Sequence, residues 1–133
     1  MILTTSVRDV MTKELVTVQT TDKAIAAIDV MTKRDVGSVV VMRDKKPVGI
    51  LTERDIIKKV CPRRKCREVT AGELMSTPII TIHADAKLGE AAFLMTKNNI
   101  RRLLVVNHEG IIGIVTQKDI LKGTLTFLAL AST

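Results

Sequence analysis

Two short runs, Gly49-Ile50-Leu51-Thr52-Glu53-Arg54-Asp55-Ile56 and Gly113-Ile114-Val115-Thr116-Gln117-Lys118-Asp119-Ile120, carry the residue types in this chain best suited to hold a ligand. In each, an apolar strand-like stretch ends on a threonine and an aspartate follows three residues later. At a strand-to-helix junction that spacing caps the helix, with the threonine hydroxyl accepting an N–H of the first turn. The same geometry serves a ligand. A helix N-terminus offers unpaired N–H groups and a positive dipole end. An ionised Asp55 or Asp119 can accept both hydroxyls of a ribose, and Thr52 or Thr116 can serve a sugar or phosphate oxygen. Gly49 and Gly113, three residues ahead of the threonines, permit close approach of a ligand or of another backbone segment. Arg101-Arg102 has the guanidinium geometry that suits phosphate, whereas one of two consecutive strand residues faces solvent by default. Lys118 and Arg54, inside the two motifs, could reach a phosphate or stand as exposed helix charges.

The elements that must position these residues emerge when the chain is slid along itself by 64 residues. Val7–Lys59 then pairs with Ala71–Gly123 without a gap, and 14 of the 53 pairs are identical. Unrelated segments of this composition would share roughly three or four. The chain is an internal duplication. Each copy opens on a short alternating strand, Val16-Thr17-Val18 or Ile80-Thr81-Ile82. An amphipathic helix follows, carrying Ala24, Ile25, Ala27, Ile28 and Met31 after Thr21-Asp22, or Leu88, Ala91, Ala92 and Met95 after Asp85. Strands over 38–42 and 48–51, joined by a turn at 44–47, match strands over 102–106 and 111–115 joined at 107–110. A last helix starts after Thr52 and after Thr116, so each copy reads strand, helix, strand, strand, helix. The continuously apolar strands require cover on both faces of each sheet.

These motifs, with Val36-Gly37-Ser38-Val39-Val40-Val41, the run over 100–106, and the lead-ins Asp9-Val10-Met11-Thr12 and Glu73-Leu74-Met75-Ser76-Thr77-Pro78, resemble the CBS-domain family. The resemblance covers nearly the whole chain and implies an α/β (α+β) fold. It assigns residues 7–60 to a first CBS domain, 61–70 to a basic linker, 71–123 to a second domain and 124–133 to an apolar tail. It implies two repeats packed sheet to sheet with pseudo-twofold symmetry and clefts at their junction. Family members bind AMP, ADP, ATP or S-adenosylmethionine there and regulate an attached or partner protein. Carried over residue by residue, Thr52 and Asp55 would work with Ile80, Thr81 and Ile82, and Thr116 and Asp119 with Val16, Thr17 and Val18. The family commonly places basic residues at the position of Arg101-Arg102 to reach phosphate; the first copy has Gly37-Ser38, so unequal sites are expected. The family's pairing of modules, together with the apolar tail, also implies a homodimer.

Composition bounds the alternatives. With 46% hydrophobic and 26% charged residues the chain has the profile of an ordinary globular protein. Two Phe and no Trp or Tyr leave the core to aliphatics and weaken any reading that stacks bases on aromatic side chains. A net charge of +7, concentrated around Lys58, Lys59, Arg63, Arg64, Lys65 and Arg67, supports a rival reading as a weak, sequence-tolerant nucleic-acid binder. Catalysis finds no support: His83 and His108 have no nucleophile beside them in sequence, no glycine-rich phosphate loop is present, and no catalytic cofactor is implied. Cys61 and Cys66 lack further ligands nearby, so no metal site is expected; free thiols are the first reading, with a disulfide as the alternative if the source is a hyperthermophile. Apolar runs are too short to span a bilayer, and no secretory segment opens the chain, so a cytoplasmic protein is expected.

Overall fold

The structure, a computed structural model, describes residues 6–60 and 68–132. In chain order the elements are α1 (Val7–Val10), β1 (Thr17–Gln19), α2 (Ala24–Arg34), β2 (Ser38–Arg43), β3 (Lys46–Thr52), α3 (Glu53–Val60), α4 (Ala71–Leu74), β4 (Thr81–His83), α5 (Leu88–Asn98), β5 (Arg102–Asn107), β6 (Gly110–Thr116) and α6 (Gln117–Ala131). The mixed α/β architecture holds two three-stranded sheets, ordered β1-β2-β3 and β4-β5-β6. In each, the first strand runs parallel to the second and the third antiparallel to it. All elements recur at the 64-residue offset, as the repeat requires.

Physical reasons for the elements are local. On α2, Ala24, Ala27 and Met31 are buried at helical spacing, as are Leu88, Ala91 and Met95 on α5, whereas Ile25 faces solvent. Both helices stop on a left-handed residue, Asp35 (φ 52°) and Asn99 (φ 53°), and the next N–H reaches back to the carbonyl of Met31 or Met95. The helices start after Thr21-Asp22 and after Asp85 as expected, with Lys23 and Lys87 in the N-cap positions and no side-chain cap bond. Asp22 instead accepts the Gln19 N–H at 2.8 Å, closing the turn after β1, and Asp85 pairs with Arg8. The first hairpin is tighter than its expected 44–47 turn. Asp44 and Lys45 alone turn it, both at positive φ, and Pro47 joins β3 beside a bulge. The first strands begin one residue later than expected, but the carbonyls of Val16 and Ile80 still accept from Val40 and Leu104.

Two elements were not foreseen. The lead-ins form short helices, α1 and α4, each opened by a capping box, Ser6 with Asp9 and Thr70 with Glu73. Their sequence signal was the Ser/Thr-x-x-Asp/Glu pattern itself; four residues are too few for a helical period.

These short helices define the compact units. One unit is Leu15–Ile79; the other is Met1–Glu14 with Ile80–Thr133. In the first, Ala71 and Leu74 of α4 join a core with Val18, Ala27, Met31, Val39, Val41 and Leu51. In the second, Val7 of α1 joins Ile82, Ala91, Met95, Leu103, Val105 and Val115. Backbone bonds fix both attachments: Val7 N–H to the Ala86 carbonyl and Arg8 N–H to that of Ala84, mirrored by Ala71 to Asp22 and Gly72 to Thr20. Each lead-in helix therefore completes the core of the unit that carries the other copy's sheet.

Candidate functional site

Both Thr-x-x-Asp runs fold as reciprocal caps. Thr52 N–H donates to Asp55 Oδ2 at 3.1 Å while Asp55 N–H donates to Thr52 Oγ1 at 3.0 Å. The second pair repeats this at 2.9 and 3.1 Å between Thr116 and Asp119. Aspartate does here what glutamate does in the usual box, because the short side chain reaches back from the third helical position. All four side chains are half-buried.

The glycine ahead of each motif has a structural assignment. A Cβ on Gly113 would stand 2.7 Å from the Thr12 carbonyl oxygen and 2.9 Å from Met11 Sδ; one on Gly49 would meet Met75 Sδ at 2.5 Å. The lead-in segments cross here, clipped by paired backbone bonds of Thr12 with Ile114 and of Ser76 with Ile50. The glycines thus admit the lead-in segment, whose backbone and Met11 side chain approach Gly113 and whose Met75 side chain approaches Gly49.

This crossing makes the aspartates unlike. Ser76, delivered beside α3, donates from Oγ to both Asp55 oxygens at 3.4 Å, and Lys59 Nζ stands 4.0 Å from Asp55 Oδ1. At the equivalent positions of the other unit are Thr12 and Gly123. Among the described residues, Asp119 Oδ1 accepts no hydrogen bond.

The remaining residues sort by unit. Thr52, Asp55, Val16, Thr17 and Val18 lie in Leu15–Ile79; Ile80, Thr81, Ile82, Arg101, Arg102, Thr116, Lys118 and Asp119 lie in the other. The motif and first-strand residues that the family resemblance pairs thus belong to different units. Thr17 and Thr81 are exposed while Val18 and Ile82 enter the cores. Arg102 opens β5 opposite Thr116, and Gln117 N–H donates to the Arg101 carbonyl at 2.9 Å. Both arginines therefore stand beside the Thr116–Asp119 cap, Arg101 exposed and Arg102 half-buried. Gly37 and Ser38 take the same place beside Thr52. Lys118 and Arg54 are exposed.

Lys59, counted with the basic cluster in the sequence, is committed to the fold: its Nζ donates to the Leu74 carbonyl at 2.9 Å. Cys61, Arg63, Arg64, Lys65, Cys66 and Arg67 lie outside the described residues. Among the described residues no His, Cys, Asp and Glu cluster could hold a metal, and no helix is long and apolar enough to cross a membrane. His83 and His108 are exposed, with Asp85 and Glu109 as neighbours.

A duplicated chain with two three-stranded sheets, each closed by a threonine–aspartate helix cap, defines a tandem α/β module. The CBS-domain profile matches residues 7–61 and 71–125, and the chain belongs to the CBS-domain family. It is 41% identical over 120 residues to an uncharacterized protein of Methanopyrus kandleri, covering 88% of this chain and 61% of that relative. The chain thus spans less than two thirds of that relative's length. A crystal structure of an uncharacterized conserved protein from Pyrococcus horikoshii superposes with a TM-score of 0.81 at 30% identity, over 93% of this chain and 95% of that one. The CBS domain of a bacterial CNNM/CorC family Mg2+ transporter, in complex with ATP, shares the fold at 18% identity, with a TM-score of 0.77 over 91% of this chain and 87% of that one. CBS-pair proteins are regulatory and often bind adenosine ligands.

Proposed function

We propose that this chain is a regulatory, non-catalytic module that binds an adenosine nucleotide (AMP, ADP, ATP or S-adenosylmethionine), with Asp119 as the principal ribose anchor. One observation carries the reading: Asp119 gives Oδ2 to its cap, while Oδ1 accepts no hydrogen bond among the described residues. A carboxylate oxygen at the start of a helix, half-buried and beside two arginines, suits a vicinal diol followed by phosphate. Thr116 would serve a sugar or phosphate oxygen, Arg101 and Arg102 the phosphates, and Lys118 an outer phosphate. Family likeness assigns the adenine to Val16, Thr17 and Val18. The site built on Thr52 and Asp55, with Ile80, Thr81 and Ile82, is the weaker one, because Ser76 and Lys59 already engage Asp55 and Gly37-Ser38 stands where the arginines do.

Calorimetric titration with the four nucleotides tests this. Saturable binding of at least one is expected, and no heat from any of them would remove the reading. The same module is proposed to act in the cytoplasm as a homodimer on a regulated protein partner. The dimer is supported by α6, where Leu121, Leu125 and Leu128, spaced for one helix face, are more than half exposed.

A further inference from the structure

The two units share one plan at a constant offset, so each is a control for the other. They part at the helix that carries the motif aspartate. In Leu15–Ile79, Lys59 of α3 folds back beside Asp55, its ammonium donating to the Leu74 carbonyl at 2.9 Å and standing 4.0 Å from Asp55 Oδ1. The residue equivalent to Lys59 is Gly123, the one equivalent to Leu74 is Val10, and where α2 has Ala24, α5 has Leu88. The exchange is steric as well as chemical: a Cβ on Gly123 would meet Val10 Cγ1 at 2.6 Å and Leu88 Cδ1 at 3.1 Å. A lysine and an alanine in one unit are replaced in the other by a glycine packed under a leucine.

A cleft of about 330 Å³ lies along this face of α6, within one unit, lined by Asp119, Asp9, Val10, Leu88, Phe127 and Leu130, with Lys122 also on its wall. That volume falls at the lower end of small-molecule pockets, about 300–1,000 Å³. Two carboxylates against one ammonium favour a cation there. Asp9 already caps α1 through Ser6, so the carboxylate with an oxygen to spare is Asp119.

We propose that this cleft binds a small organic ammonium ion, a primary amine on an apolar stem, whose cationic head takes beside Asp119 the place that Lys59 holds beside Asp55. Val10, Leu88, Phe127 and Leu130 receive the stem, as the methylenes of a lysine lie along apolar surface. The proposal goes beyond nucleotide binding and draws on the same Asp119 oxygen, so ammonium and ribose would compete for it; its test contains no nucleotide, so either reading can fail alone.

The full chain is titrated with n-pentylammonium chloride and, separately, with 1-pentanol, followed by amide chemical shifts. The ammonium is expected to move Val10, Asp119 and Gly123 and to leave Asp55 in place, and the alcohol to bind at least tenfold more weakly. Gly123→Lys with Leu88→Ala and Val10→Leu, which reinstates the residues of the other unit, should abolish binding; Leu88→Ala with Val10→Leu should retain it. Unshifted amides over β4, β5 and β6, the sheet of the substituted unit, verify folding. Equal binding of the alcohol, undiminished binding by the triple variant, or binding that emerges only after Lys122→Met would each overturn the proposal, the last by making Lys122 the occupant.

Discussion

Replacing Asp119 by alanine separates the cap from the anchor. The Thr116 N–H loses its 2.9 Å acceptor, while the Asp119 N–H keeps the threonine hydroxyl, so half of one capping box goes. Such a loss costs about 1 kcal/mol of stability, or roughly 3–5 °C of melting temperature for a chain this size. Asp55→Ala removes the matching bond and also the partner of Ser76 and Lys59, contacts at 3.4 and 4.0 Å. Long and partly exposed, these add about 0.5–1 kcal/mol. Stability should therefore fall more for Asp55→Ala. Ligand binding should run the other way. A carboxylate holding two ribose hydroxyls contributes about 1.5–3 kcal/mol per hydrogen bond, about 3–6 kcal/mol for the pair, so Asp119→Ala should weaken binding by more than about 100-fold. Asp55→Ala should change the same affinity by less than about threefold. Urea denaturation and calorimetry on the same preparations read both quantities. Affinity within twofold of the parent for Asp119→Ala would reduce the motif to a cap, and equal effects of the two variants would refute the inequality drawn from Ser76 and Lys59.

Gly113→Ala and Gly49→Ala should each destabilise by about 1–3 kcal/mol, because the new methyl stands 2.7 Å from the Thr12 carbonyl oxygen in one and 2.9 Å from Met75 Cβ, which side-chain rotation does not move, in the other; denaturation midpoints decide it. Leu103, fully buried in the β5 core, should lose about 2–5 kcal/mol as alanine, read by the same midpoints. Leu125→Glu on α6 should convert a dimer to a monomer by light scattering without lowering the melting temperature of the monomer, because Leu125 is 56% exposed. Any complex with duplex DNA should vanish steeply with salt in a gel-shift series, and Lys59→Met should not weaken it, since that ammonium is bonded to Leu74.

Much of the fold is written in local pattern. The 64-residue repeat, the alternating first strands, the helix faces and the hairpins all follow from spacing that a strand or helix imposes on its own residues, and the threonine–aspartate junctions announce their helix starts. Pro47 joined a strand because the two-residue turn and its bulge set the register, and Lys23 rather than Asp22 became the N-cap because Asp22 closes the preceding turn. Such choices rest on competition between neighbours for the same N–H groups.

By itself the sequence determined the duplicated α/β plan, the aliphatic cores and the two capped junctions, because these depend on residues a few positions apart. Only the tertiary structure decided which partner each junction received. Short helices from one copy complete the core beside the other copy's sheet, and that crossing brings Ser76 to Asp55 and Thr12 beside Gly113. Identical motifs thus acquire different surroundings: one aspartate is engaged by a serine and a lysine, and Oδ1 of the other accepts no hydrogen bond among the described residues. The serine and the Thr12 backbone arrive from the other copy, which no local periodicity encodes, whereas the lysine stands one helical turn from Asp55 and is the local part of the difference.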